Sequence, residues 1–444
     1  MNFENISAIS TAPLAAGVAI IRISGDSPLS IAEKMFKCKT PVKDFEPYKM
    51  YVGTIDCGDI RDFGMCVYFK APHSYTGEEM VEFHCHGGVA ISRAVLKRTF
   101  ELGSRLAERG EFTKRAFLNG KMSLSSCEGL VEMIYAQSDS EAKMGFYLYR
   151  EKLYKKIKSV QDELKYILAL IDANIDYPEE DVDFAESEKI TSTLEKCKTE
   201  LEQLLTTYAG SSKAVSGVKV AICGRPNAGK SSLLNAVLEM DKAIVTDIAG
   251  TTRDVVEGFK EINGIRFNFF DTAGIRESKN TIEKIGIEKS KNVIEKADVV
   301  LLVVDGTAGF TEEDEEIVSA TDKTKLLTVV NKSDLLDAEP KFGDVVVSAA
   351  TGDGMTALFD ALTERAGLNE LSFDGDFLTE ERHYAAVANA VSALNTALNA
   401  LSKYPLDVVA SDVKDAWVFL GKISGETCDE DVLNEIFSKF CVGK

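Results

Sequence analysis

Apolar side chains recur at helical spacing along two long stretches of the chain. Leu153, Ile157, Val160, Leu164, Ile167 and Ile171 step by 4, 3, 4, 3, 4, and Ile190, Leu194, Cys197, Leu201, Leu204 and Tyr208 repeat that rhythm. Each set falls on one stripe of a helix, so the pattern predicts the core of a helical bundle. Between them Asp176-Tyr177-Pro178-Glu179-Glu180-Asp181 breaks the helix with a proline and an acidic cluster, read as a solvated loop or a partner-facing one. Beyond Asp374 the rhythm returns with Val387, Val391, Leu394, Leu398 and Leu401. Residues 1–119 differ, mixing short β-like runs (Val18–Ile23, Met65–Phe69, Met80–His84) with the helical stretch Ala90–Leu102, which predicts an α+β domain. From 215 to 366 short, wholly apolar strands alternate with helices: Val218–Cys223, Phe267–Phe270, Val299–Val304, Leu326–Val330 and Val345–Val347. That texture predicts a doubly wound, mostly parallel sheet.

These zones predict a multidomain chain: an α+β N-terminal domain over 1–119, a discontinuous helical bundle over 120–214 plus 367–444, and an α/β domain over 215–366 inserted into it. The length of 444 residues fits, at roughly 150 residues per domain. Lys plus Arg is 51 and Asp plus Glu is 71, so the net charge is 51 − 71 = −20. A surface so acidic does not grip a polyanion as a whole, because that binding releases counterions from phosphates. A local basic patch, or a partner that supplies one, is still compatible with it. The nine cysteines are scattered and odd in number, with no C-x-x-C pair, which fits reduced thiols in a cytosol-like compartment. The first basic residue is Arg22, so no secretory leader is expected. The run Val299–Val304 is far shorter than the ~20 residues of a membrane span. A cytoplasmic protein without a membrane role is expected.

Gly224-Arg225-Pro226-Asn227-Ala228-Gly229-Lys230-Ser231 fits G-x-x-x-x-G-K-[ST], directly after one apolar strand and before helical spacing at Leu233 and Leu234. Such a loop turns its backbone N–H groups toward phosphate oxygens. Its lysine adds a charge at the β/γ-phosphates, and the Ser231 hydroxyl ligates Mg²⁺. Ser232 continues the first helical turn. Asp271-Thr272-Ala273-Gly274 ends the next strand, where an acid can hold Mg²⁺ through water and a glycine amide can meet the γ-phosphate. Asn331-Lys332-Ser333-Asp334 follows a later strand, and the Asp334 carboxylate suits the two N–H groups of a guanine edge. Ser348-Ala349-Ala350 follows the last strand and is expected to cap the base. Four elements in this order, each at a strand's C-terminal end, predict a Ras-like G domain that binds GTP.

Residue 275 is Ile, where Ras-type enzymes carry the glutamine that orients the attacking water, so another group has to do this. Thr246-Asp247-Ile248-Ala249-Gly250-Thr251-Thr252 forms a long polar switch, with Thr252 the natural second hydroxyl on Mg²⁺. Two readings fit Asn227. It braces the phosphate loop, or its side chain, together with switch carbonyls, holds a monovalent cation that neutralises transition-state charge.

The strings Gly224–Asn235, Ala243–Asp254 and Phe440-Cys441-Val442-Gly443-Lys444 closely resemble the tRNA-modification GTPase family MnmE (TrmE). So do Ile21–Gly25, Ser74–Glu78, Gly110–Phe112 and Arg115–Asn119, and the resemblance runs over essentially the whole chain. It implies potassium-stimulated GTP hydrolysis driven by G-domain dimerisation, with Asn227, Thr246, Ile248 and Thr251 at the potassium positions. Glu283 matches a glutamate that acts through water. It implies a homodimer formed through the N-terminal domain, and a flavoprotein partner, MnmG. With that partner the family installs an aminomethyl-type group, such as carboxymethylaminomethyl, on C5 of wobble uridine in certain tRNAs, the tRNA being held largely by the partner. It also implies a 5-formyl-tetrahydrofolate-type one-carbon donor at Arg22, Glu82, Lys121 and Lys444. The segment Thr11–Gly17 departs from the family in lacking a Gly-rich turn.

Cys441 has two readings. One is a thiolate that adds at uracil C6 and makes C5 nucleophilic; the other is a small buried hydrophobe that anchors the tail. His84-Cys85-His86 does not read as a metal site, because on a strand the two histidines share one face and the cysteine the other. No Gly-x-Gly-x-x-Gly string occurs, so flavin or nicotinamide chemistry has to come from a partner. The alternative function is a Ras-like molecular switch in ribosome assembly, without folate chemistry.

Overall fold

The computed structural model describes residues 4–176, 184–239, 258–271, 293–338, 340–368, 376–401 and 403–444. The chain forms two compact units. One comprises Met1–Val131, Tyr147–Cys197 and Asn389–Lys444, the other Glu132–Phe146 and Lys198–Ala388. Among the described residues no helix is long and apolar enough to cross a membrane.

The first unit holds a seven-stranded sheet in the order β3-β4-β5-β6-β2-β1-β7. Its strands are β1 (Ile6–Ile9), β2 (Ala16–Gly25), β3 (Phe36–Lys37), β4 (Met50–Asp56), β5 (Arg61–Phe69), β6 (Glu79–Gly87) and β7 (Arg105–Leu106). Only β1 and β7 pair in parallel. Alternation along β6 sends Val81, Phe83 and Cys85 into a core with Ile31, Met35 and Val95, from the helices Pro28–Met35 and Val89–Glu101. Glu82, His84 and His86 therefore point to the opposite face, where Arg22 stands across from Glu82 and Val18 from His86. That face also carries Met50, Val52 and Phe63, which together with Val18 are exposed.

The long helix Lys152–Asp176 buries its whole predicted stripe, from Leu153 to Ile171. It packs against the helix Leu406–Ser424, and the buried Gln161 donates to the Trp417 carbonyl at 3.2 Å. After the helix Glu430–Ser438, Phe440 sinks into a cluster with Leu124, Cys127, Ile436 and Phe437. The last residues then run onto the first sheet's edge. Val442 bridges Arg109, Ser10 Oγ donates to the Gly443 carbonyl at 3.1 Å, and the Phe112 amide donates to the Lys444 carbonyl at 3.2 Å. Gly443 has φ +101°, and a Cβ there would collide with the Ile9 carbonyl, so the tail needs glycine at this point.

A buried ion network lies beneath the Ser74–Glu78 loop. Arg115 donates to Glu78 and to Glu111, both at 3.0 Å; Arg105 donates to Glu111 at 2.6 Å; and Ser24 Oγ donates to Glu78 at 2.8 Å.

The second unit holds a six-stranded sheet in the order β13-β12-β11-β8-β10-β9. Its strands are β8 (Val218–Cys223), β9 (Gly258–Ile262), β10 (Ile265–Asp271), β11 (Val299–Asp305), β12 (Leu326–Asn331) and β13 (Val345–Val346). All pairs are parallel except β9 with β10, whose hairpin turns through Asn263 and Gly264 at φ +53° and +80°. Both faces are covered, Val220, Ile222, Phe267 and Val303 lying in one core and Ala221, Cys223, Val300 and Val304 in another. This is why the strands read as unbroken apolar runs. From β8 the order runs to β11 on one side and to β10 on the other, which puts a topological switch point at the C-terminal end of β8.

Burial works to raise the Glu111 carboxyl, but hydrogen bonds from Arg105, the Glu108 amide and Arg115 outweigh it and hold the group at about 2. An unfolded glutamate titrates near ~4.3, so this group stabilises the fold above that pH and loses its contribution as pH falls toward 2. The network should contribute about 3 kcal/mol at neutral pH. Melting curves from pH 6 to pH 3 should show stability falling, and Glu111→Gln should both lower the pH 7 melting temperature and flatten that fall. Parallel curves for the two proteins would refute the assignment.

Candidate functional site

At the switch point the chain leaves β8 through Gly224 and enters the helix Lys230–Glu239 at Lys230. Gly224, Asn227 and Gly229 take φ of +139°, +64° and +92°. A Cβ at Gly224 would strike the Val303 carbonyl, and one at Gly229 would strike the Asn331 side chain. The glycine positions of the motif are thus set by close approach as well as by curl. Lys230 is buried, and its Nζ donates to the Gly224 carbonyl at 2.9 Å and the Arg225 carbonyl at 2.8 Å. Ala228 is buried, whereas Ser231, Ser232 and Asn227 are exposed. Among the described residues the Asn227 side chain makes no hydrogen bond.

β12 ends at Asn331, which is buried and joins three of the predicted segments. Its Nδ2 donates to the Ala228 carbonyl at 3.1 Å, while its Oδ1 accepts from the Lys332 amide at 2.8 Å and the Ala349 amide at 3.0 Å. Ser348 Oγ donates to Asp334 Oδ1 at 2.6 Å, which orients the carboxylate predicted to meet guanine. Ala350 is exposed at the end of that turn. Lys332 has φ +65° and reaches Asp305 Oδ2 at 2.6 Å. Burial pushes Asp305 up, but Lys332 and the hydroxyl and amide of Thr307 hold it at about 2. Asp271 closes β10 opposite Ile222. Thr246, Asp247, Ile248, Ala249, Gly250, Thr251, Thr252, Thr272, Ala273, Gly274 and Glu283 lie outside the described residues.

Two acids of this site were not anticipated from the sequence. Asp305 stands opposite Asn331 at the strand ends, and Asp314, completely buried, faces Arg225 of the phosphate loop at 3.3 Å. An acid closing the apolar run Val299–Val304 was the legible signal for Asp305. Asp314 sits among four glutamates, and only its burial distinguishes it.

A second cluster forms on the open face of the first unit's sheet. Arg22 Nε donates to Glu82 Oε1 at 2.7 Å, and the guanidinium lies over the Tyr75 ring at 5.0 Å and the Phe112 ring at 5.7 Å. His84 Nε2 lies 3.5 Å from Glu82 Oε2. Burial tends to raise the Glu82 carboxyl, yet His84 and Arg22 hold it below the usual carboxylate range. The docked tail brings Lys444 to this pair. Burial, and then the Arg22 charge, lower its ammonium, against the opposing pull of Cys441 and Glu82. Cys441 is exposed, so the buried anchor of the tail is Phe440 and not the thiol. Lys121 donates instead to the Pro72 carbonyl at 3.0 Å, beside Gly77. His86 pairs with the buried Asp62 at 2.6 Å. Tyr75 and Phe112 lie in strings that carry the resemblance, but no site role was legible for them, because an aromatic residue outside a periodic stripe carries no pattern of its own.

Residues 5–121 match the family described as GTP-binding protein TrmE N-terminus, and residues 124–441 match the MnmE helical domain. The tRNA modification GTPase MnmE of Acetivibrio thermocellus is 38% identical over 456 residues, covering 99% of both chains. That of Fervidobacterium nodosum is 39% identical over 455 residues, covering 100% of this chain and 98% of the relative. A crystal structure of Aquifex aeolicus Era bound to GDP.AlF4- is 31% identical, covering 39% of this chain and 66% of that one, with a TM-score of 0.28. On the strength of the full-length relatives and both family matches, the chain belongs to the MnmE family of tRNA modification GTPases and is a GTP-hydrolysing enzyme of tRNA modification.

Proposed function

We propose that this enzyme works in the cytoplasm as a homodimer with a flavoprotein partner, MnmG. In this reading the complex adds an aminomethyl-type group, such as carboxymethylaminomethyl, to C5 of wobble uridine in certain tRNAs, using 5-formyl-tetrahydrofolate or a related one-carbon tetrahydrofolate. The observation that carries it is the convergence of Arg22, Glu82 and Lys444 on one sheet face beside the exposed Cys441. A carboxylate suits the N–H edge of a pterin, and basic side chains suit the folate glutamate. Among the described residues the terminal nitrogens of Arg22 bond nothing, which leaves them for such a ligand. Lys121 would serve the same donor from the neighbouring loop. The donor supplies the one-carbon unit, and a Cys441 thiolate would make uracil C5 nucleophilic by adding at C6. The exposed apolar residues Val18, Met50, Val52 and Phe63 support dimerisation through the N-terminal domain. A net charge of −20 supports leaving the grip on tRNA largely to the partner.

In this reading residues 1–119 form the folate-binding and dimerisation domain, 120–214 plus 367–444 the helical domain, and 215–366 the G domain. Asn227–Ser232 cradle the phosphates through backbone N–H groups, Ser231 and Thr252 hold Mg²⁺, and Asp334 selects guanine, supported by Asn331 and Ser348–Ala350. Asn227, Thr246, Ile248 and Thr251 hold K⁺, whose charge offsets that of the phosphates, and Glu283 acts through water. The exposure and left-handed backbone of Asn227 support its cation role.

GTP turnover should rise when K⁺ replaces Na⁺, and Asn227→Ala should erase the difference while leaving the Na⁺ rate in place; turnover indifferent to the cation would end the potassium assignment. Gly443→Ala should dislodge Lys444 and weaken 5-formyl-tetrahydrofolate binding by about tenfold, the loss of one charge-assisted contact, with GTP hydrolysis unchanged. Calorimetric titration measures this, and a native chain that binds no folate would remove the one-carbon reading. Cys441→Ser should keep GTP hydrolysis but lose modification in a reconstituted assay scored by tRNA nucleoside analysis.

A further inference from the structure

The ten residues from Asp305 to Asp314 carry none of the phosphate- or base-recognition motifs, yet they touch both. At one end Asp305 Oδ2 accepts from Lys332 Nζ at 2.6 Å, and its Oδ1 is satisfied by the Thr307 amide and hydroxyl at 2.9 and 2.7 Å. The next amide, of Gly306, donates to the Asn331 carbonyl at 2.9 Å. At the other end Asp314 Oδ2 lies 3.3 Å from Arg225 Nε, and Arg225 Nη2 donates to the Gly309 carbonyl at 3.4 Å. The Arg225 carbonyl in turn accepts from Lys230 Nζ at 2.8 Å. Asp314 is itself locked by a capping box with Thr311, its Oδ2 accepting from the Thr311 amide at 3.0 Å and hydroxyl at 2.8 Å. One short segment thus holds the base loop by one carboxylate and the phosphate loop by another.

We infer that Asp305 and Asp314 are positioning residues for the nucleotide, fixing the spacing between the phosphate loop and the guanine-binding loop. The two loops bind opposite ends of one ligand of limited reach, so the ligand engages both at full strength only when their separation is held. The inference rests on assigning Gly224–Ser231 and Asn331–Asp334 to GTP. It adds two acids that touch no part of the nucleotide and act only through Lys332 and Arg225. Asp314 is completely buried, so water does not compete for it, whereas the Lys332–Asp305 pair is only partly buried.

The test uses the full chain with Asp305→Asn and Asp314→Asn. Each asparagine keeps a side-chain oxygen for Thr307 or Thr311 and removes the charge facing Lys332 or Arg225; in Asp305→Asn the acceptor for Lys332 Nζ goes with it. GDP dissociation, followed with a fluorescent GDP analogue, should speed up roughly tenfold in each variant, the loss of a charge-assisted contact. The KM for GTP should rise in step, while kcat at saturating GTP stays within about twofold, the signature of lost binding and not of lost chemistry. Melting temperature without nucleotide should fall in both variants, because each leaves a cation without its carboxylate, while the chain stays folded at the assay temperature. Native dissociation rates and KM in both variants would overturn the proposal. So would a fall in kcat that tracks a fall in melting temperature, since that is all a purely structural pair would do. Lys230→Ala separates the two assignments: weak GDP binding there beside native-like Asp variants sinks only the positioning role, whereas native GDP affinity in Lys230→Ala sinks the nucleotide site and the role with it.

Discussion

The docking of the last residues against the first sheet is the contact that joins the two ends of the chain within the first unit. Phe440 supplies the anchor: a fully buried aromatic side chain contributes on the order of 2–3 kcal/mol, enough to hold a short tail in place. Anchored there, Val442 has one register against Arg109, and Gly443 turns through a backbone conformation closed to side chains. Lys444 then falls beside Arg22 and Glu82. None of these steps is strong alone. Their order matters, because the hydrophobic anchor fixes the position and the polar contacts only refine it.

The nucleotide side of the molecule follows the same economy with different groups. Its loops lie outside regular hydrogen-bonded structure, so side chains must hold them. The Asn331 amide spans the phosphate loop, its own strand end and the Ala349 turn with a single buried group. Satisfying donor and acceptor at once makes such a group expensive to displace, since any shift leaves a buried polar atom unpaired. The glycines at 224 and 229 are the steric complement, letting backbone and the Asn331 side chain approach where a Cβ would not fit.

Electrostatics in both units is local. Against a net charge of −20, the cations that matter are placed one at a time beside carboxylates: Arg22 with Glu82, Arg115 with Glu78 and Glu111, Lys332 with Asp305. Such buried pairs add less stability than their closeness suggests, because both ions give up water, but they specify which groups face each other. In this chain they sit where loops must be aimed, under the Ser74–Glu78 loop and between the base and phosphate loops.

The amino-acid sequence was sufficient for what depends on a few neighbouring residues. The stripe from Leu153 to Ile171 lies buried as its spacing predicts, and the strand–loop–helix around Gly224 forms where the glycines and Lys230 require it. The strands of the G domain matched within a few residues, since burial on both faces leaves an unbroken apolar run. Strands β1, β3, β4, β7 and β9 were not read from the sequence; short or mixed in pattern, they exist because neighbours pair with them. Resemblance to relatives, not periodicity, brought Lys444 and Arg22 into one expectation. Only the tertiary structure decided which atoms meet: Ser10 with Gly443, 433 residues apart, Asn331 with Ala228, and Asp314 with Arg225. Periodicity and turn chemistry act over one or two turns of chain, whereas these pairings are chosen by how whole elements pack, which no local pattern encodes.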